Sequence, residues 1–169
     1  MRKLRLLDMK ILAELMRNAK SSDRQIAKKL GRSQPTITRR RTRLERELSL
    51  RYTAIPDWVG LGFQIIAFTF AQWKHRMFPK EKMLEAVAFI SKHPNIIFVS
   101  GGRGMSADRV CVSIHKSYRD YWQLLQAIRL QWGKYLETLG SFITSFGGDE
   151  ILRPITLQFL ADYLAHMVE

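Results

Sequence analysis

The stretch from Ser22 to Leu48, SDRQIAKKLGRSQPTITRRRTRLEREL, restricts what this chain can fold into more than any other. Ile26, Ala27 and Leu30 recur at helical spacing, Gly31 follows, and Ile37, Leu44 and Leu48 repeat the spacing on a second segment. Apolar residues three and four apart share one face of a helix. The pattern therefore predicts two short helices about a tight turn, a helix-turn-helix. Ala27 lets the helices approach closely, and Gly31 accepts the positive φ that such a turn demands. Ser22 followed by Gln25 makes a capping box, Ser33 is placed to cap the second helix, and Pro35 fits its first turn.

Winding the second helix at about 100° per residue from a buried Ile37 leaves Pro35, Thr38, Arg39, Thr42, Arg43 and Arg46 on the outward face or its flanks. That face carries guanidinium groups and no carboxylate. Arginine forks pair with guanine edges in a major groove, threonine contacts a base or a thymine methyl, and both hold phosphates. The expected partner is double-stranded DNA, contacted by Ser33, Gln34, Pro35, Thr36, Thr38, Arg39, Arg40, Thr42, Arg43 and Arg46. Of these, Thr38, Arg39 and Arg43 are expected near base edges, and Ser33, Gln34, Arg40 and Arg46 nearer phosphates. A merely solvated basic helix is the competing reading, and the capped, turn-punctuated context weighs against it.

The placement of charge agrees. The net charge is +13, with 16 Lys/Arg against 5 Asp/Glu in residues 1–52 and 12 against 10 in residues 53–169. A basic module joined to a near-neutral one suits a DNA-binding part and a separate part that assembles or senses. The single cysteine, Cys111, excludes an internal disulfide framework and fits a reducing compartment. The N-terminal MRKLRLLDMKIL is interrupted by Asp8 and Lys10, and no apolar run nears 18 residues. A cytoplasmic protein with no membrane partner is expected.

Ahead of the helix-turn-helix, residues 5–17 form an expected helix with Leu7, Ile11, Leu12 and Leu15 on one face. Leu50 to Ile55 is read as the extended wing of a three-helix module, and residues 56–62, rich in Pro and Gly, as a linker. From there the period changes to two. Gln64 to Trp73 reads as a strand with Ile66, Phe68 and Phe70 on one face and Ala67, Thr69 and Ala71 on the other. An amphipathic helix follows over Lys80 to His93. Strands are expected at Ile96–Ser100 and Val110–Ile114, separated by a glycine-bearing loop from Gly101 to Asp108. A long helix over Tyr118–Thr138 then ends at Gly140, and Ser141–Phe146 forms a fourth strand.

The order β-α-β-β-α-β defines an α+β chain with a ferredoxin-like domain, its sheet covered by helices on one face only. The expected organisation is a winged helix-turn-helix over residues 1–55, a linker over 56–62, a ferredoxin-like domain over 63–152, and a terminal helix within 153–169. That helix is read over residues 154–168 with Leu157, Leu160, Ala161 and Leu164 on one stripe. A second copy of the chain is the simplest cover for the open sheet face, giving a homodimer or a higher even-numbered oligomer.

The chain resembles the Lrp/AsnC family of bacterial and archaeal transcription regulators. The residues that carry the resemblance are Leu7-Asp8 with Ile11 and Leu12, Ile26-Ala27, Leu30-Gly31, Ser33, Ile37, Arg40, Leu44-Glu45, Tyr52-Thr53-Ala54, Asp57 and Leu61-Gly62. It extends over about residues 4–152 and is most specific in the first 62. The resemblance implies a winged helix-turn-helix before a ferredoxin-like assembly domain, dimers that associate further, and an amino acid or similar small molecule as effector. Any effector is expected at the Gly101–Asp108 loop, where the backbone of Gly101, Gly102 and Gly104 would hold a carboxylate and Asp108 an ammonium group. Here relatives have a short Gly-x-Tyr-Asp. Arg41 replaces a usual aliphatic residue, so either its stem snorkels out of the edge of the core or the helix is rotated slightly.

Other chemistry finds little support. His75, His93, His115 and His166 are scattered without ligand spacing and read as surface or helix-end residues, so no metal is expected. Cys111, inside an apolar strand, reads as a small hydrophobe. Gly101 to Gly104 opens no helix and lacks the lysine-serine ending of a phosphate loop. No catalytic residues and no cofactor are expected. Two alternatives remain: a nucleoid-organising protein of little sequence preference, and a siroheme-decarboxylase-like enzyme, whose use of a sheet cleft leaves the basic N-terminal third unexplained.

Overall fold

In the computed structural model, which describes residues 4–74, 82–148 and 151–166, the chain divides into two units, residues 1–55 with 154–169 and residues 56–153. The first is helical: α1 (Leu6–Arg17), α2 (Asp23–Leu30), α3 (Gln34–Glu47) and α6 (Gln158–His166). Ile11, Leu15, Ile26, Ala27, Ile37 and Leu44 form its buried core, flanked by Leu4, Leu7, Leu30, Leu48 and Leu50. Truncating such an aliphatic side chain to alanine costs about 2–5 kcal/mol. Ser22 accepts from the Gln25 N–H and the Gln25 side chain accepts from the Ser22 N–H (2.8 Å), completing the capping box. Gly31 ends α2 in the left-handed region (φ 60°), where a β-carbon would meet no neighbour but the backbone itself disfavours one.

Two features of this unit depart from expectation. Leu50–Ile55 forms no β-ladder, because an extended segment becomes a strand only beside another and this unit offers none. The terminal helix packs on α1, with Ala13 and Ala161 both buried and the Arg17 guanidinium donating to Asp162 Oδ1 at 2.7 and 3.1 Å. Of the expected stripe Leu157, Leu160, Ala161 and Leu164, Ala161 is buried and Leu157 and Leu160 are exposed; Leu157 precedes the helix, which starts at Gln158. The expected helix end at residues 167–168 lies outside the described residues.

The second unit is a four-stranded antiparallel sheet in the order β2-β3-β1-β4, built from β1 (Ile65–Trp73), β2 (Ile96–Gly104), β3 (Ala107–His115) and β4 (Leu136–Ser145). Helices α4 (Lys82–Ser91) and α5 (Tyr118–Trp132) complete the β-α-β-β-α-β order. Lys80 and His75 lie outside the described residues. On one face Ala67 is packed by Tyr121 and Leu125 of α5, with Leu139 and Ile143 beside them. On the other, Phe98, Val112, Phe68 and Phe142 stand opposite one another in register across all four strands. Residues 56–62 are a closed turn, with Gly62 at φ 83° and Trp58 stacked on Phe146 and edge-on to Phe63.

Three expected boundaries move. Gly101–Gly104 belong to β2 and Ala107–Asp108 to β3, so the expected eight-residue loop is a hairpin turn at Met105-Ser106, both at positive φ (53° and 52°). Glycine is poor in strand interiors, but backbone pairing to β3 carries it through an edge strand. The long helix stops at Trp132, and Leu136–Gly140 join β4, because nine-residue β1 pairs along its whole length and draws them into the ladder.

His115 is fully buried rather than on the surface. Its Nδ1 lies 3.2 Å from the Asn95 amide nitrogen and 3.5 Å from Asp120 Oδ2, and its Nε2 lies 2.8 Å from Ser113 Oγ. Burial holds its pKa below the ordinary value, against the opposing pull of Asp120. The unfolded chain therefore takes up this proton more readily, and stability is lost as pH falls through the ordinary histidine value of about 6.5 toward the folded one. Melting temperatures recorded downward from about pH 8 should fall across that window, and H115Q should flatten the slope. A slope unchanged in H115Q would assign the loss to other groups.

Candidate nucleic-acid interface

The basic face of α3 is organised by a carboxylate behind it. Asp8, at N3 of α1, is fully buried and accepts from the Arg5 backbone N–H (3.0 Å), Arg40 Nη1 (2.7 Å) and Arg43 Nη2 (2.6 Å). Burial alone would raise its pKa. The Arg40 hydrogen bond, the Arg5 N–H and the two guanidinium charges outweigh burial and hold it below the ordinary carboxylate range. Arg40 and Arg43 are thus half-buried and fixed on their inner side, while Arg43 also reaches Glu47 (3.7 Å).

In front of this anchor lies an open cleft of about 580 Å³ lined by Leu4, Arg5, Arg39, Arg40, Thr42, Arg43, Arg46 and Glu47. Arg39 and Arg46 are exposed and make no ion pair among the described residues. Five guanidinium groups around one concave surface give a strong positive potential and donors at several angles, an arrangement that takes phosphate oxygens or guanine edges.

The remaining expected contacts are spread over the first turns of α3. Gln34, Pro35 and Thr42 are exposed. Ser33, the N-cap, pairs its hydroxyl with Thr36 (2.8 Å) instead of capping a backbone N–H. Thr38 donates to Asp23 Oδ2 (2.7 Å), tying α3 to α2. Arg41 turns away from the cleft: its head donates to Glu45 (2.9 Å), the Ser21 carbonyl (3.1 Å) and Asp23 (3.2 Å) and lies over the Tyr52 ring.

Arg5 and Asp8 were not among the expected site residues. Asp8 carries a readable signal, since Ile11, Leu12 and Leu15 follow at three, four and seven residues, placing a carboxylate on an apolar face. Such a group needs a buried partner, although its spacing does not say which cation. Gly102 and Gly104 of the expected effector loop line a shallow hollow of about 330 Å³ with Arg103, Met105 and Phe70. Gly101 and Asp108 lie outside it, and Asp108 Oδ2 accepts from the Trp73 backbone N–H (3.4 Å). Among the described residues no group of His, Cys, Asp and Glu has the arrangement of a metal site, and no helix is long and apolar enough to cross a membrane.

Residues 6–45 match the AsnC-type helix-turn-helix domain. The chain is similar in fold to a transcriptional regulator from Neisseria meningitidis in complex with L-Met (17% identity, 94% of this chain and 99% of that one, TM-score 0.76). It is also similar to an AsnC family transcriptional regulator from Agrobacterium tumefaciens (17% identity, 93% and 99%, TM-score 0.75) and to E. coli AsnC (19% identity, 90% and 98%, TM-score 0.66). No curated protein matches the chain in sequence.

Proposed function

We propose that this chain, with its AsnC-type helix-turn-helix on the fold of AsnC-type regulators, is a DNA-binding transcription regulator acting in the cytoplasm as a dimer or higher oligomer on palindromic operators. The observation that carries the reading is the cleft in front of α3, where Arg39 and Arg46 make no ion pair among the described residues and Arg40 and Arg43 are held in place by buried Asp8. Arg39 and Thr42 read base edges, with Gln34, Pro35 and Thr36 at the helix start. Arg46, Arg5 and Ser33 hold phosphates. Arg40 and Arg43 offer their outer N–H groups to the backbone, and Thr38 steadies the helix through Asp23.

Replacing Arg39 by alanine should cost about 1–3 kcal/mol on the operator and relax preference at particular base pairs, while R46A should weaken all sequences alike and flatten the salt dependence. Gel-shift titrations against selected genomic fragments and random duplex decide it. Equal losses on specific and random DNA for every variant would support nucleoid organisation instead.

An amino acid is the effector class this reading brings with it, on the analogy of the L-Met complex; the hollow at the β2-β3 hairpin is its place. The enzyme alternative leaves the arginine cleft in front of α3 without a role.

A further inference from the structure

The helical side of the sheet is packed unevenly. Helix α5 closes over β1 and β4, whereas α4 has no buried residue and leaves Met83 and Val87 half exposed. Between α4, α5 and the sheet lies the cavity of about 160 Å³. Trp132 stands edge-on to Trp73 (centroids 5.9 Å apart) and to Phe89 (6.4 Å), and these three rings form its aromatic wall. The polar groups on its lining are few. The Thr69 hydroxyl is already bonded to Ser141 (2.8 Å), and burial pushes the Cys111 thiol up to about 11, so it stays protonated.

The pocket opens to solvent on one side, but its lining is almost wholly apolar, so water inside it finds few of the two to four polar partners it needs and an apolar ring displaces it readily. One charged residue lies on the lining. Arg109 donates from Nη1 to the Asp108 carbonyl (2.7 Å) and makes a long ion pair with the Asp108 carboxylate (3.8 Å), while its Nε and Nη2 make no hydrogen bond among the described residues. A guanidinium with free donors beside an aromatic-walled cavity matches a ligand with an apolar ring at one end and an anion at the other.

We propose that this cavity binds a small aromatic carboxylate, its ring between Trp132, Trp73 and Phe89 and its carboxylate on Arg109. The site is distinct from the arginine cleft and shares only Arg109 and Val110 with the hairpin hollow, which lies on the other side of them, and it stands whether or not the chain binds DNA.

The test uses the full chain, phenylacetate as probe, toluene as its uncharged counterpart, and melting temperature with tryptophan fluorescence as readouts. Phenylacetate should raise the melting temperature saturably and change the fluorescence. R109Q should weaken phenylacetate about tenfold, the loss of one charge-assisted hydrogen bond, and leave the toluene response intact. A86L, which fills the cavity from α4, should abolish both responses. No response of the wild type to phenylacetate at about 10 mM overturns the proposal, as does a response retained in A86L. Should A86L fail to fold, R109Q decides alone: an unchanged phenylacetate response, or equal loss of both probes, overturns it.

Discussion

Replacing Asp8 by asparagine is expected to destabilise the protein by about 2–4 kcal/mol and to weaken binding to operator and random DNA alike, about tenfold. Removing one partner of a buried ion pair strands the other, and here two guanidiniums share the carboxylate. The figure sits toward the lower part of the usual range because Arg40 and Arg43 are half-buried and can turn to water. Binding suffers because the two arginines that meet the DNA backbone, no longer fixed from behind, must be ordered at binding, a cost that falls on every sequence. The pH dependence carries the sign. A carboxyl held below its ordinary value stabilises the fold above about pH 3.9 and loses that contribution as pH falls through the folded value. Chemical denaturation of wild type and D8N should thus show a gap that is constant near neutrality and closes in acid. A gap that persists unchanged to about pH 2 would refute the role given to Asp8.

Changing Phe142 to glutamate is expected to leave the monomer folded and to lower operator affinity at least about a hundredfold. Phe142 is 64% exposed and Phe98 54% exposed, and with Phe68 and Val112 they form an apolar row spanning the whole sheet. A row of this kind marks an assembly surface, and a two-fold pairing there is isologous, so one substitution places two carboxylates in the interface. Linked half-site contacts multiply affinity by about 10² to 10⁴, and that factor disappears when the pair separates. Light scattering should give about twice the 19.7 kDa chain mass for the wild type and the chain mass for F142E. Identical masses for the two proteins would place the assembly surface elsewhere.

The helix-turn-helix was legible because its signals are local and agree: the 3.6-residue period of Ile26, Ala27, Leu30, Ile37 and Leu44, the Ser22-Gln25 box and the left-handed Gly31 all survive in three dimensions. The succession of elements, β-α-β-β-α-β, was legible for the same reason. What the sequence concealed depends on pairing. Gly101 to Gly104 read as a loop by composition, yet their backbone bonds to β3 decide the matter, and nothing in Met105-Ser106 announces a left-handed turn. Leu136 and Leu139 satisfy a helical spacing equally well, and only the length of β1 places them in a strand. At the interface, the outward arginines were countable, but Asp8's choice of Arg40 and Arg43 over Arg39 and Arg46 depends on the packing of α1 against α3.

The docking of α6 on α1 alters the order in which the protein can be completed. The N-terminal unit is discontinuous: its core residues emerge first from a ribosome, but the Arg17–Asp162 clamp and the Ala161 contact surface are supplied only after the whole sheet unit has been made. Synthesis therefore holds the helix-turn-helix in an unfinished state for the length of some hundred residues, with the flank of α1 around Ala13 uncovered throughout. A fragment ending near residue 60 reproduces that nascent intermediate rather than the finished unit. Joining residues 154–169 to residues 1–55 by a short flexible linker is the circular shortcut that would restore it.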